Sequence, residues 1–95
     1  MPSNEMQLEK TLLFLDMGGL SYRKMMGEYL LYLDGTLFGG VYDGRLLLKN
    51  TPAGRAILPN AELQLPYLGA KPMIYVDDTI SAETAKKAIT AICGK

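Results

Sequence analysis

The stretch MMGEYLLYLDGTLFGGVYDGRLLLK, from Met25 to Lys49, decides the fold of this 95-residue chain. Two Asp-Gly pairs divide it into three apolar runs. A two-residue hairpin turn of type I′ needs a positive φ at both central residues, and Asp followed by Gly adopts this geometry at low steric cost. The stretch therefore predicts a three-stranded antiparallel meander with turns at Asp34-Gly35 and Asp43-Gly44.

Two features inside the meander bear on how its sheet is packed. Gly39-Gly40 interrupts the middle strand, which indicates either a β-bulge or a close approach by another backbone. The first strand, taken from Met25 to Leu33, carries apolar side chains at both parities, whereas a strand with one solvated face alternates. We expect both faces to be at least partly covered, one by helices and part of the other by a second subunit.

Three segments around the meander have helical patterns, and each starts at a polar capping residue. The first covers residues 4–15, is capped by Ser3 or Asn4 and ends before a connector that contains Gly18, Gly19 and Ser21. The second covers residues 52–58 and is capped by Thr51. The third runs from Ser81 to Gly94 and places Cys93 in its buried stripe. The run MIYV, residues 73–76, is predicted to join the meander. The resulting fold class is α+β, an antiparallel sheet of four or more strands packed on helices.

Composition excludes several classes of function. Ten Lys and Arg balance ten Asp and Glu, so no strong positive field concentrates nucleic acid around the chain. One cysteine and no histidine exclude disulfides within the chain, Cys/His zinc sites and His-based nucleophile pairs. The length predicts a single domain over residues 1–95. The first residues resemble neither a signal peptide nor a membrane span, so we expect a cytoplasmic protein without membrane contact.

Two motifs resemble the N-terminal domain of the TfoX (Sxy) family. The run from Tyr22 to Lys49 resembles the family pattern of Arg, Met, aromatic and Gly, followed by YxLYxDGxxF and DGRLYLK, and PYLGAKPMIYV, from Pro66 to Val76, resembles PYPGAKPMYYI. The sequence departs from the pattern at Met26, where an aromatic residue is common, and at Leu68, where a second proline is common. The resemblance implies an α+β fold similar to that of type III secretion chaperones.

The same resemblance implies a regulatory role. Full-length members act in bacterial competence with a cyclic-AMP receptor transcription factor, and they carry a helical C-terminal domain. Because the sequence ends at Lys95, we expect a stand-alone N-terminal-like module and do not carry the competence role over. The resemblance implies no catalytic residues and no cofactor.

Six residues are candidates for binding a partner or an anion. In PYLGAKPM the prolines and glycine predict a rigid entry to the next strand, and an alternative is that Lys71 presents a cation beside an exposed Tyr67. Four further cations are either scattered on the surface or form a basic patch with Lys71: Arg23, Lys24, Arg45 and Arg55.

Carboxylates and tyrosines offer weaker signals. Asp77-Asp78 precede the last helix, where capping explains them better than a metal or acid–base site. Glu28 is expected to form a structural ion pair with Arg23, Lys24 or Arg45 rather than act as a general base. A surplus of tyrosines on one exposed face of the sheet would indicate a homodimer or partner surface.

The sequence thus favours a non-enzymatic regulatory module that acts through protein contacts. Its expected partner is a protein, such as a transcription factor or a polymerase component, with a homodimer as another form of contact. The alternative hypothesis is weak binding of nucleic acid or a small anion through the basic residues. An enzyme ranks third, because no nucleophile and base pair is recognisable.

Overall fold

The computed structural model describes residues 3–94, and within them six strands form one sheet that three helices cover on one face. The strands are β1 (Leu20–Met25), β2 (Glu28–Leu33), β3 (Thr36–Tyr42), β4 (Arg45–Leu48), β5 (Leu63–Gln64) and β6 (Met73–Val76). The helices are α1 (Glu5–Leu15), α2 (Pro52–Ile57) and α3 (Ala82–Ile92). The spatial order is β1-β2-β3-β4-β6-β5, with every neighbouring pair antiparallel. The predicted α+β class is confirmed.

Both Asp-Gly turns of the meander are present. Asp34 and Gly35 have φ values of 49° and 85°, and Asp43 and Gly44 have φ values of 52° and 75°. Positive φ at both central residues is the geometry of a type I′ turn, whose twist matches that of the strands it joins. The prediction drawn from these dipeptides is confirmed.

The predicted first strand was wrong at its start. The chain turns at Met26-Gly27, with φ values of 52° and 82°, and the strand before this turn, β1, includes Ser21, which was assigned to the connector. β1 is an exposed edge strand with charged residues, so it lacks the apolar alternation that identifies a strand. Met25 and Met26 belong to β1 and the turn, but β2 itself keeps apolar residues at both parities. Tyr29, Leu31 and Leu33 are buried, and Leu30 and Tyr32 on the other face are half-buried.

The two glycines of β3 accompany a bulge. Leu31 pairs with Gly39 and Tyr32 pairs with Leu37, which leaves Phe38 without a partner in β2. Phe38 is fully buried in the core. A Cβ on Gly39 would lie 2.2 Å from the carbonyl oxygen of Leu47, so the position is also a close approach of two backbones. The bulge is confirmed, and the close approach of the two backbones requires glycine at position 39.

The three helices begin at the predicted capping residues. The Asn4 side chain accepts a hydrogen bond from the Gln7 N–H at 3.0 Å, and the Gln7 side chain accepts one from the Asn4 N–H at 2.9 Å, a capping box. The Thr51 hydroxyl accepts from Gly54 N–H at 3.0 Å, and the Ser81 hydroxyl accepts from Thr84 N–H at 3.2 Å. Each cap satisfies a backbone donor that the first helical turn leaves unpaired.

The hydrophobic core lies between the helices and one face of the sheet, here the helix-covered face. Its largest fully buried members are Leu15 of α1, Ile89 of α3 and sheet residues including Leu31, Phe38, Leu48 and Ile74. Cys93 is half-buried against this core, with its sulfur 4.0 Å from the carbonyl oxygen of Thr36. The core position predicted for Cys93 is thus confirmed, although the side chain is not fully buried.

The remaining strands complete the sheet beyond the meander. The predicted strand MIYV is β6 and pairs with β4, with Leu47 opposite Tyr75. The preceding polar stretch contributes β5, which was not predicted because it has only two residues and no apolar alternation. The similarity to type III secretion chaperones stays a prediction.

Candidate interaction surface

The face of the sheet opposite the helices, here the helix-free face, is crossed by the loop of residues 65–72 between β5 and β6. Leu47 points to this face, since its neighbours Leu46 and Leu48 belong to the core, and yet Leu47 is fully buried. Pro66 in the loop is also buried. Because none of the helices in residues 3–94 lies on this side, we infer that the loop covers β4 there. The PYLGAKPM segment is therefore part of the packing as well as the entry to β6.

Arg45 fastens the start of this loop to the sheet. Its guanidinium donates hydrogen bonds to the Gln64 side-chain oxygen at 2.7 Å, the Leu65 carbonyl at 3.1 Å and the Tyr42 carbonyl at 3.2 Å. The fork of donors on arginine suits three acceptors in different directions. Arg45 thus acts as a structural anchor for the loop, with three of its five guanidinium N–H groups engaged.

The loop turns at its tip and exposes two large side chains. Gly69 has a φ of 88°, and the Ala70 N–H donates to the Tyr67 carbonyl at 3.1 Å. Tyr67 is 65% exposed and Leu68 is 96% exposed. With one end anchored by Arg45 and Pro66 buried beneath, the turn holds these two side chains out into solvent.

Further apolar side chains surround the same place. Met26, in the turn between β1 and β2, is 95% exposed, and Leu65 is also exposed. Together Met26, Leu65, Tyr67 and Leu68 form what we term the apolar tip, and they line one shallow depression of about 600 Å³. Isolated apolar residues on a surface are common, whereas a group lining one depression is typical of an interaction site.

Charged groups of opposite sign flank the apolar tip. Glu28 and Asp43 line its depression, and the Glu28 carboxylate accepts hydrogen bonds from the Ser3 N–H at 2.8 Å and the Asp43 N–H at 3.0 Å. Glu28 is thus held by backbone donors, and the ion pair predicted for it with an arginine or lysine is absent from the hydrogen bonds of the described residues. On the other side of Tyr67, Lys49 and Lys71 line a second depression of about 610 Å³.

The six residues predicted as a binding site do not form one patch. Tyr67 lies between two depressions, one lined by Arg45 and the other by Lys71. Arg23 is exposed on the helix-free face, but β1 lies three strands from β4, about 14 Å at the usual strand spacing. Lys24 pairs with Tyr29, a core residue, and so belongs to the opposite face. Arg55 lies in α2 and donates to the carbonyls of Leu58 and Ala61, beyond the C-terminal end of that helix.

Three tyrosines of the sheet lie on the helix-free face, although the contact surface expected from the sequence required exposed tyrosines. Tyr32, Tyr42 and Tyr75 point there, because the residues next to each of them in its own strand belong to the core, and all three are half-buried. Burial, followed by the nearby Tyr67, Glu28 and Tyr32, raises the pKa of Tyr42 above its ordinary value. Tyr42 therefore stays protonated at neutral pH and offers a hydroxyl donor close to the loop.

The Asp77-Asp78 pair has a local structural role. The Asp77 carboxylate accepts hydrogen bonds from both the N–H and the hydroxyl of Thr79, and these bonds lower the pKa of Asp77. The pair lies in the turn between β6 and α3, whose cap is Ser81. Among residues 3–94, no cluster of three or more Asp, Glu, Cys or His side chains is arranged to hold a metal ion.

The sequence missed three contributors to this surface. Met26 was placed inside a strand, because a Met-Gly turn lacks the Asp or Asn that identifies type I′ turns. Lys49 was treated only as the end of a strand, and Leu68 only as a departure from a family pattern. The sequence did contain a signal for Lys49, because it is the last residue of the DGRLLLK run. Once β4 pairs with β6, the end of β4 lies beside the loop that carries Lys71.

Comparison with known proteins agrees with the fold. In the described part of the chain no helix has the length and apolarity needed to span a membrane. A relative described as an uncharacterized 12.7 kDa protein in the trpE 5′ region of Spirochaeta aurantia is 46% identical over 57 residues. These residues are 60% of this chain and 50% of the relative, so the chain spans about half the length of that protein. No solved structure matches the chain significantly. The model of the TfoX N-terminal domain matches residues 12–91, and the chain therefore belongs to the TfoX N-terminal domain family.

Proposed function

We propose that this chain is a non-enzymatic regulatory module of the cytoplasm that binds another protein through its apolar tip. The observation that carries the proposal is the exposure of Met26 and Leu68, at 95% and 96%, beside the exposed ring of Tyr67. The regulatory part rests on family membership and on the competence regulators that the sequence resembles. A transcription factor or a polymerase component is the expected class of partner.

Physical arguments favour protein contact at this place. Leaving large apolar side chains in water forgoes roughly 1.5 to 3 kcal/mol for each side chain that burial would stabilise. Tyrosine is enriched among residues that dominate binding energy, and methionine adapts its shape to a partner. The loop that carries Tyr67 and Leu68 is held by Arg45, so little conformational entropy is lost when a partner binds there.

Charge complementarity defines the partner further. Glu28 and Asp43 lie on one side of the apolar tip, and Lys49 and Lys71 lie beyond Tyr67 on the other. A matching partner surface has apolar side chains at its centre, a basic group towards Glu28 and an acidic group towards Lys71. This pattern favours a partner that is a different protein with an amphipathic contact surface. Self-association of the chain is measured in the same set of experiments.

The test is affinity capture from extract of the native host, with mass spectrometry at low and high salt. The wild type is compared with Met26→Asp/Leu68→Asp, whose two positions are so exposed that the fold tolerates the change. Leu13→Asp on α1 is the matched control, because Leu13 is 78% exposed and lies on a helix of the opposite face. We expect one protein to be retained at high salt by the wild type and the control, and lost with the double variant.

Other results would reject the proposal. Equal capture by all three proteins would show that the partner does not bind at the apolar tip. Capture of nucleic acid alone, released at high salt, would favour binding through the basic residues. Analytical ultracentrifugation of the same three proteins measures self-association. A dimer abolished by Met26→Asp/Leu68→Asp would show that a second copy of the chain occupies the apolar tip instead of a different protein.

A further inference from the structure

A second depression lies beside Tyr67, on the side away from Met26, Leu65 and Leu68. Its volume is about 610 Å³, which falls within the range of small-molecule sites, and it is open to solvent. The end of β4 contributes Lys49 and Asn50, and the loop contributes Tyr67 and Lys71. Both lysines are exposed, so their ammonium groups are free to turn into the depression.

The charge lining this depression has one sign. Lys49 and Lys71 are cations, and no aspartate or glutamate is among its lining residues. This contrasts with the chain as a whole, in which acidic and basic residues balance. Two ammonium groups beside one opening bind a dianion more strongly than they bind a singly charged carboxylate, because each ammonium group interacts with both negative charges.

The backbones that carry the two lysines are both fixed. The Lys49 N–H donates to the Phe38 carbonyl at 2.8 Å, and the Lys49 carbonyl accepts from the Thr51 N–H at 3.0 Å. On the loop side, Lys71 stands between the Tyr67–Ala70 turn and β6, which pairs with β4. Both lysines thus stand next to hydrogen-bonded backbone, which limits the ordering that anion binding requires.

The rest of the lining suits an organic group. Tyr67 offers an exposed ring, Pro72 and Met73 offer apolar surface, and Asn50 offers an amide donor. We propose that this depression, defined by Lys49, Asn50, Tyr67 and Lys71, binds a phosphate monoester whose organic group contacts the Tyr67 ring. The phosphate lies between the two ammonium groups. Tyr67 belongs to both the apolar tip and this depression, whereas Met26 and Leu68 do not line the depression, so the two activities can be tested by different substitutions.

The test is an NMR titration of the ¹⁵N-labelled full chain with phenyl phosphate, with inorganic phosphate and phenol as the two halves of that probe. We expect saturable shifts confined to the backbone amides of residues 49–51 and 67–71, with phenyl phosphate binding more tightly than either half. Lys49→Gln/Lys71→Gln is expected to weaken phenyl phosphate about tenfold or more, equivalent to about 1.4 kcal/mol. Lys86→Gln/Lys87→Gln on α3 removes the same charge elsewhere and is expected to leave the affinity unchanged.

Two sources of a phosphate monoester are separated by one more probe. The probe is a short peptide that contains a phosphotyrosine. If the site serves small molecules, we expect the peptide to bind with the affinity of phenyl phosphate. If the site serves a phosphorylated protein side chain, we expect the peptide to bind at least about tenfold more tightly. The proposal is overturned when no phosphate compound saturates, when phenol produces the same shifts as phenyl phosphate, or when both double variants bind equally well. Loss of partner capture with Met26→Asp/Leu68→Asp does not bear on these results.

Discussion

The guanidinium of Arg45 donates a hydrogen bond to the carbonyl oxygen of Leu65, 20 residues further along the chain, at 3.1 Å. The same side chain also bonds to Gln64. These bonds tie the first strand of the β4–β6 pair to the loop that presents Tyr67 and Leu68. The interaction surface therefore depends on a residue that belongs to the sheet.

Replacing this anchor should loosen the loop. Arg45→Met keeps most of the aliphatic stem but removes every donor, and we expect the free energy of unfolding to fall by about 1 to 3 kcal/mol. Amide hydrogen exchange of residues 65–72 should quicken more than that of β2. Arg23→Met is the control, because Arg23 is exposed on the edge strand β1. Equal loss of stability in both variants would contradict the anchoring role.

Gly40 provides the room in which the ring of Tyr42 packs. A Cβ at position 40 would lie 2.4 Å from the Tyr29 carbonyl oxygen and 2.9 Å from Cε2 of Tyr42. Since the first of these atoms is backbone, Gly40→Ala is expected to destabilise the fold by about 1 to 3 kcal/mol or more. Gly18→Ala is the matched control, because a Cβ there meets nothing within 4 Å. Urea unfolding of both variants measures the difference, and a harmless Gly40→Ala would refute the packing argument.

Asp77 provides a prediction at acid pH. Its hydrogen bonds from Thr79 favour the charged form and lower its pKa, so their contribution to stability is present above the unfolded pKa, about 3.9, and is lost as pH falls through the folded value. Thr79→Val removes the hydroxyl donor and should raise the pKa of Asp77 towards its ordinary value. An NMR titration of the Asp77 carboxyl carbon measures this change. Thr90→Val, whose hydroxyl bonds to Lys86 on α3, should leave the Asp77 titration as it is.

Local chemistry explains which parts of the fold were predictable from sequence. The turn at Asp34-Gly35 and the caps at Thr51 and Ser81 depend on residues within three positions of each other, and all were predicted. β1 was missed because an exposed edge strand needs no apolar alternation and Met26-Gly27 lacks a turn signature. A structure that depends on a few adjacent residues can be predicted from the sequence, whereas a strand stabilised only by pairing with its neighbour has no local sequence pattern.

The candidate site shows the same division. Tyr67 and Lys71 were identified because prolines and a glycine mark their loop as a rigid, exposed segment. The anchoring role of Arg45 was not identified. It depends on the pairing of β4 with β6, which brings Gln64 and Leu65 within reach of the Arg45 side chain. Arg55 likewise has partners beyond the end of its own helix. A basic residue's role follows from which carbonyls the fold brings to it, and the sequence does not list them.

Tyr42 provides the corresponding prediction at alkaline pH. Burial and the neighbouring Tyr67 raise its pKa, so the folded state holds this proton more tightly than the unfolded state. That contribution is fully present below the unfolded pKa, about 10, and is lost as pH rises through the raised folded value. Tyr42→Phe keeps the ring over Gly40 but cannot ionise, so its free energy of unfolding should fall less than that of the wild type as pH rises above about 10. Tyr67→Phe removes one of the causes and should bring the pKa of Tyr42 closer to its ordinary value in an NMR titration. An equal loss of stability in wild type and Tyr42→Phe would show that ionisation of Tyr42 does not limit stability there.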